Sequence, residues 1–103
     1  EGGTTASESC ILGTPAIYVN NLSMGYIEAE KKEGLLYQST NLQEIKKYIE
    51  FIINSKTLGY KKKASSFIEN KIDVTSFLVW FIENYPKSHF IIKNNSQYQS
   101  KFR

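Results

Sequence analysis

The chain of 103 residues holds one cysteine, one histidine, one methionine, one tryptophan and two prolines. A lone thiol, Cys10, excludes an internal disulfide, and with it the small disulfide-stapled class; it fits a reducing compartment. One cysteine and one histidine, His89, cannot build a site with His/Cys metal-ligand spacing. The longest apolar run, Ser76 to Ile82, falls far short of the ~20 residues of a membrane span. No signal peptide is visible. Charge of one sign is also scarce. The net charge is +3, and Lys87, Lys93, Lys101 and Arg103 meet no acid between 87 and 103. The remainder sets nine lysines against ten acids, so the body is close to neutral and lacks the footprint of a dedicated nucleic-acid surface.

What is present suffices for one small domain: 41% hydrophobic residues, 14% of the chain aromatic. Residues 4–12 read as a short helix stopped by Gly13, and residues 15–19 as a buried strand between Pro15 and Asn20-Asn21. Leu22 to Lys32 reads as a loop and a helix ending at Gly34, followed by a second short strand, Leu35 to Gln38. A capping box begins at Thr40 (with Gln43) or at Asn41 (with Glu44). In the helix behind it, Leu42, Ile45, Ile49, Ile52 and Ile53 share one face, and Lys46 pairs with Glu50 opposite. A third helix covers 57–71 with Tyr60, Ala64, Phe67 and Ile68 on one side, weakened by Gly59 near its start.

Asp73 then caps a helix with Val74, Phe77, Leu78, Phe81, Ile82 and Tyr85 on one face, and Pro86 stops it. Val79 and Trp80 add a second apolar side, so this helix is expected to be buried twice, once against its own domain and once against something absent from this chain. Residues 87–103 read as a basic polar tail, loose from Asn94 to Ser100. The element order predicts an α/β fold with two short parallel strands and four to five helices, helix-rich toward the C-terminus. Two strands make a poor sheet, so they are expected to belong to a larger parallel one.

The opening segment, Glu1-Gly2-Gly3-Thr4-Thr5-Ala6-Ser7-Glu8, carries the chemistry. Amides at a helix N-terminus are unpaired, the helix dipole adds partial positive charge there, and glycine lets an anion approach the backbone. Gly2, Gly3, Thr4 and Thr5 are therefore candidates for binding a diphosphate. Glu8, one turn further on, is a candidate for accepting hydrogen bonds from a ribose diol. By spacing alone, Gly2-Gly3 is equally a plain turn, Thr4 or Thr5 an N-cap and Glu8 a solvated helix residue.

That segment, with Ile11-Leu12-Gly13-Thr14-Pro15-Ala16-Ile17, resembles the nucleotide-binding segment of GT-B-fold nucleotide-sugar enzymes. The peptidoglycan N-acetylglucosaminyltransferase and the non-hydrolysing UDP-N-acetylglucosamine 2-epimerase are of this kind. The resemblance is closest to the DUF354 group of prokaryotic GT-B-like proteins, and takes in the run from Asn20 to Glu30 and Gly34 to Tyr37. It implies that residues 1–86 are part of a Rossmann-like GT-B C-terminal domain binding a UDP-sugar. Gly2, Gly3, Thr4 and Thr5 would hold the diphosphate and Glu8 the ribose. Asn20, Met24, Gly25 and Tyr26 would lie in a loop near the sugar. The helix ending near Tyr85 would cross toward an N-terminal domain.

The resemblance further implies a cytoplasmic protein of surface-polysaccharide biosynthesis, with no cofactor, the chain being an inactive piece of a longer glycosyltransferase or 2-epimerase. Its catalytic and uracil-binding residues would lie outside these residues. A non-catalytic nucleotide-sugar-binding or scaffold module, and a self-standing α-rich domain with no ligand at its opening loop, are the other readings. His89 reads as a surface histidine and Cys10 as a small buried apolar residue. Lys61-Lys62-Lys63 reads as a solvated face, with an anionic membrane surface as the alternative partner for it and for the basic tail.

Overall fold

A computed structural model describes residues 2–55 and 57–103. Glu1, the first residue of the opening motif, lies outside the described residues. Among the described residues the elements are α1 (Gly3–Ile11), β1 (Ala16–Tyr18), α2 (Gly25–Lys32), β2 (Leu36–Gln38), α3 (Leu42–Asn54), α4 (Thr57–Glu69), α5 (Val74–Glu83), α6 (Lys87–Asn94) and a 3-10 helix (Ser96–Phe102). Six helices and two short parallel strands make the chain helix-rich and α/β. It divides into two compact units, Glu1–Ile68 and Glu69–Arg103.

In the first unit β1 and β2 pair in parallel, Ala16 opposite Leu36, Ile17 opposite Tyr37 and Tyr18 opposite Gln38. Parallel neighbours need a crossover connection, and α2 supplies it. The core holds Cys10, Tyr18, Ile27, Leu36 and Ala64, one from each of α1, β1, α2, β2 and α4, together with Leu35, which leads into β2. Gly13 ends α1 at φ 86°, where a side chain is strained. A Cβ there would also stand 3.0 Å from the Lys61 Cα, so α4 rests its backbone on this glycine.

Of the two capping registers, the Asn41 one forms: its Oδ1 accepts from the Gln43 amide at 2.9 Å and the Glu44 amide at 3.2 Å. The Ser39 hydroxyl, two residues before the N-cap, donates to the Glu44 carboxylate and accepts from the Asn41 amide, so it stands between the two groups that a capping box would join directly. The isoleucine face of α3 is not buried as its periodicity suggested. Ile45 and Ile52 are half-buried, but Leu42 is 63% and Ile53 75% exposed. What α3 lays on the sheet is aromatic instead. Tyr48 and Phe51 contact the Tyr37 ring at 5.0 and 6.1 Å between centroids, and the Tyr37 hydroxyl shares a 2.9 Å hydrogen bond with Tyr60 of α4. On α4, Tyr60 and Ala64 are buried as expected, and Ile68 is exposed.

The second unit corrects the expectation of a loose tail from residue 87. Lys87–Asn94 is helical and Ser96–Phe102 forms the 3-10 helix. Tyr98 stacks on Trp80 at 5.0 Å, and Phe102 meets Phe77 and Trp80 at 5.6 and 5.3 Å. The buried Ser88 hydroxyl donates to the Phe81 carbonyl at 2.6 Å. These aromatic contacts give the polar segment enough apolar burial to offset its ordering entropy. Asp73 caps α5, accepting from the Ser76 amide at 3.1 Å and its hydroxyl at 2.7 Å. The inward face of α5 is Phe77, Trp80 and Phe81, while Val74, Leu78, Val79 and Ile82 face outward, Ile82 72% exposed. Among the described residues α5 is therefore covered on one side only.

Candidate functional site

α1 precedes β1 and α2 follows it, joined by short turns, so both helices run against the strand direction. Their N-termini therefore lie toward the carboxyl end of β1, the edge at which open α/β sheets take ligands. Side-chain contacts bear this out: a Cβ built on Gly3, the first residue of α1, would fall 3.6 Å from Tyr18 Cζ, 3.1 Å from Tyr26 Oη and 2.7 Å from Met24 Cε. The opening helix and the Met24–Tyr26 segment thus meet over the last residue of β1.

Gly3 is a close-packing position as well as the first residue of α1. Its missing side chain makes room for Met24 and Tyr26, which are joined by a 3.1 Å contact from the Tyr26 hydroxyl to the Met24 sulfur. Gly2 is the open glycine: a Cβ there would meet only Thr5, at 3.4 Å or more. Gly2 is also the N-cap of α1, and no side chain caps it; the first helical bond is Ala6 N–H to Gly2 O at 3.1 Å. The amides of Gly3, Thr4 and Thr5 precede that bond. At α2 the N-cap is Met24, again without a side-chain cap, and the first bond is Glu28 N–H to Met24 O at 3.0 Å. α3 and α5, by contrast, carry Asn41 and Asp73 caps. Among the described residues, the two helices that reach the carboxyl end of β1 thus keep backbone donors that no capping side chain satisfies.

A cleft of about 350 Å³ opens between α1 and β1, lined by Gly2, Thr5, Ala6 and Ser9 on one side and by Ala16, Ile17 and Tyr18 on the other. Of the sequence-derived site residues, Gly2 and Thr5 line it. Gly3 lies beneath Met24 and Tyr26. Thr4 and Glu8 lie one turn apart on the water-facing side of α1, next to Thr5 but outside the cleft lining. Asn20 is not in this cleft either.

Sequence reasoning missed what fixes α1 in place. Glu30 of α2, 1% exposed, accepts a 2.5 Å hydrogen bond from the Ser7 hydroxyl on the inner side of α1, and its other oxygen is buried with no partner among the described residues. Cys10, one turn along, donates to the Leu35 carbonyl at 3.1 Å. Burial pushes its thiol up to about 11, the Glu30 charge adds to this, and a bond involving the Ala16 backbone opposes it. Cys10 is therefore a buried thiol at neutral pH and no nucleophile, as its apolar neighbours suggested. The only signal for Glu30 was its spacing of three from Ile27, which puts both on one helix face. His89 is exposed beside Phe90, and among the described residues no three His, Cys, Asp or Glu side chains gather as metal ligands. No described helix is long and apolar enough to cross a membrane. Comparison with family models, with curated proteins and with solved structures finds no match for the chain.

Proposed function

We propose that the chain is the nucleotide-sugar-binding part of a GT-B glycosyltransferase or sugar-nucleotide 2-epimerase, with a UDP-sugar as ligand. The observation that carries this reading is the uncapped N-terminus of α1 at the carboxyl end of a parallel strand pair, next to that of α2. A diphosphate there would accept hydrogen bonds from the Gly3, Thr4 and Thr5 amides, and the Thr5 hydroxyl would reach it from the cleft wall. The helix dipole would favour the negative charge that builds up when a nucleoside diphosphate departs from the sugar.

Glu8 would take the ribose from the water-facing side of α1, where no neighbouring side chain bonds it among the described residues. The sugar would lie toward Met24 and Tyr26, which already cover Gly3. Base recognition would come from the segment upstream of the glycine loop, and the reacting groups from the N-terminal domain and the first half of the C-terminal domain of a GT-B enzyme; the protein would be cytoplasmic, where such donors are used. Calorimetric titration with UDP tests the reading. Binding that Glu8→Ala weakens by about tenfold, as loss of a charged acceptor should, supports it. UDP binding indifferent to Glu8→Ala removes the ribose assignment, and no UDP binding removes the reading itself.

A further inference from the structure

We propose that a second cleft, at the carboxyl ends of β1 and β2, binds a neutral saccharide through its hydroxyl groups. The cleft measures about 350 Å³, has no apolar side chain in its lining, and shares no residue with the cleft beside α1. Its walls are the segments that leave the two strands, 20–23 and 38–40, closed on a third side by Glu28 and Lys31 of α2. It therefore occupies the ligand-taking edge of a parallel sheet.

The side chains of Asn20, Glu28, Lys31 and Gln38 are already held in place. Gln38 donates from Nε2 to the carbonyls of Asn20 and Leu22, both at 2.9 Å, and so ties the loop after β1 to the end of β2. Asn20 Oδ1 accepts the Leu22 amide at 2.9 Å. Lys31 Nζ donates to Gln38 Oε1 at 3.0 Å and to Glu28 Oε1 at 3.2 Å. A ligand would meet a surface already fixed at these four residues, which spares it that part of the ordering cost.

Charge selects the class of ligand. The Lys31 ammonium already sits between Glu28 and Gln38, in the position a metal cation would need. The Glu28 carboxylate cancels Lys31 for an incoming anion. No aromatic ring lines the cleft, so a nucleobase finds no stacking surface. The Ser23 hydroxyl donates to Glu28 Oε1 at 3.5 Å, and what remains is a close set of donors and acceptors of both kinds: the second Glu28 oxygen, the third Lys31 N–H, the Asn20 and Asn21 amides and the Thr40 hydroxyl. Vicinal diols, each hydroxyl donating once and accepting once, match such a mixed set.

Amide chemical shifts of the 15N-labelled chain, followed during titration with glucose, N-acetylglucosamine or maltose, test this. We expect at least one of these sugars to move Asn20, Ser23, Gln38 and Ser39 in a saturable way at millimolar concentration, with inorganic phosphate and Mg²⁺ leaving them in place. Glu28→Gln, on the surface and nearly isosteric, should weaken the effect about tenfold by removing a charged acceptor. No saturable shift with any of the three sugars overturns the proposal, as does an unchanged affinity in Glu28→Gln or a stronger response to phosphate or Mg²⁺. This proposal and the nucleotide reading can fail separately, because UDP is expected to move Gly3, Thr4 and Thr5 and not these residues.

Discussion

Replacing Ser7 by alanine probes the buried link that holds the opening helix. Ser7 is the one described hydrogen-bond partner of the Glu30 side chain, whose Oε2 has none. Ser7→Ala therefore removes a 2.5 Å bond to a carboxylate and leaves a side chain 1% exposed to water with no donor at all. A hydrogen bond to a charged group is worth about 1.5–3 kcal/mol, and a small domain has only about 5–15 kcal/mol in total, so the loss should be large. The companion change runs the other way. Glu30→Met on the Ser7→Ala background replaces both partners with apolar groups of similar volume, and such replacements are close to neutral or stabilising. The double variant should therefore recover most of what the single one lost, by about 1–2 kcal/mol.

Trp80 belongs to the other unit and does not report on this one, so the assay is native-state hydrogen exchange at the Leu36, Tyr37 and Gln38 amides of β2. Ser7→Ala with unchanged protection, or a double variant weaker than the single, would refute the argument. A displaced α1 would also carry its free amides away from the β1 edge, so the same variant is expected to lose UDP affinity.

Three further outcomes follow from single residues. Gly13→Ala should cost about 1–2 kcal/mol, because φ is 86° and the Lys61 backbone stands at 3.0 Å, whereas Gly59→Ala, with open space around its Cβ, should stabilise α4 by about 0.5–1 kcal/mol; urea unfolding followed by far-ultraviolet circular dichroism compares them. The Cys10 thiol lies above its ordinary value in the folded chain through burial first and Glu30 second, and the Tyr37 hydroxyl is raised by burial and by Tyr60. Both contribute stability that is intact below their unfolded values and is lost as pH climbs. For Cys10 the window runs from 9.0 to about 11, and stability measured at pH 8 and 10.5 should fall less in Cys10→Ala than in the parent chain. Phe102→Ala should release the 3-10 helix at a cost of about 2 kcal/mol and shift Trp80 emission toward that of a solvated indole.

Local rules carried the element order well. Gly13 and Gly34 both end helices in the left-handed region, and Asp73 caps α5, because each depends on a few neighbouring residues. The short strands and their parallel sense followed from helical segments set between apolar runs. Long-range pairing stayed hidden. Tyr98 and Phe102 lie in a polar segment whose composition reads as loose, and nothing local says that Phe77 and Trp80 will receive them. The isoleucine stripe of α3 revealed a helix but not its partner, since Tyr48 and Phe51 turned out to make the contact with Tyr37. For the candidate site, the N-terminus of α1 was legible from Gly2-Gly3, but the sequence left Thr4 or Thr5 open as its N-cap, whereas the structure has Gly2 there. The crossing of Met24 and Tyr26 over Gly3 was not legible, because it depends on where the β1–α2 turn brings the second helix N-terminus.

The central claim is that the first amides of α1 receive the charged linkage of a nucleotide sugar. Titrating the 15N-labelled chain with UDP, and reading each backbone amide, tests it most directly. The account predicts saturable shifts centred on Gly3, Thr4 and Thr5, with smaller ones at Gly25 and Tyr26. Saturable shifts centred elsewhere, or no shift at these five amides, would contradict it.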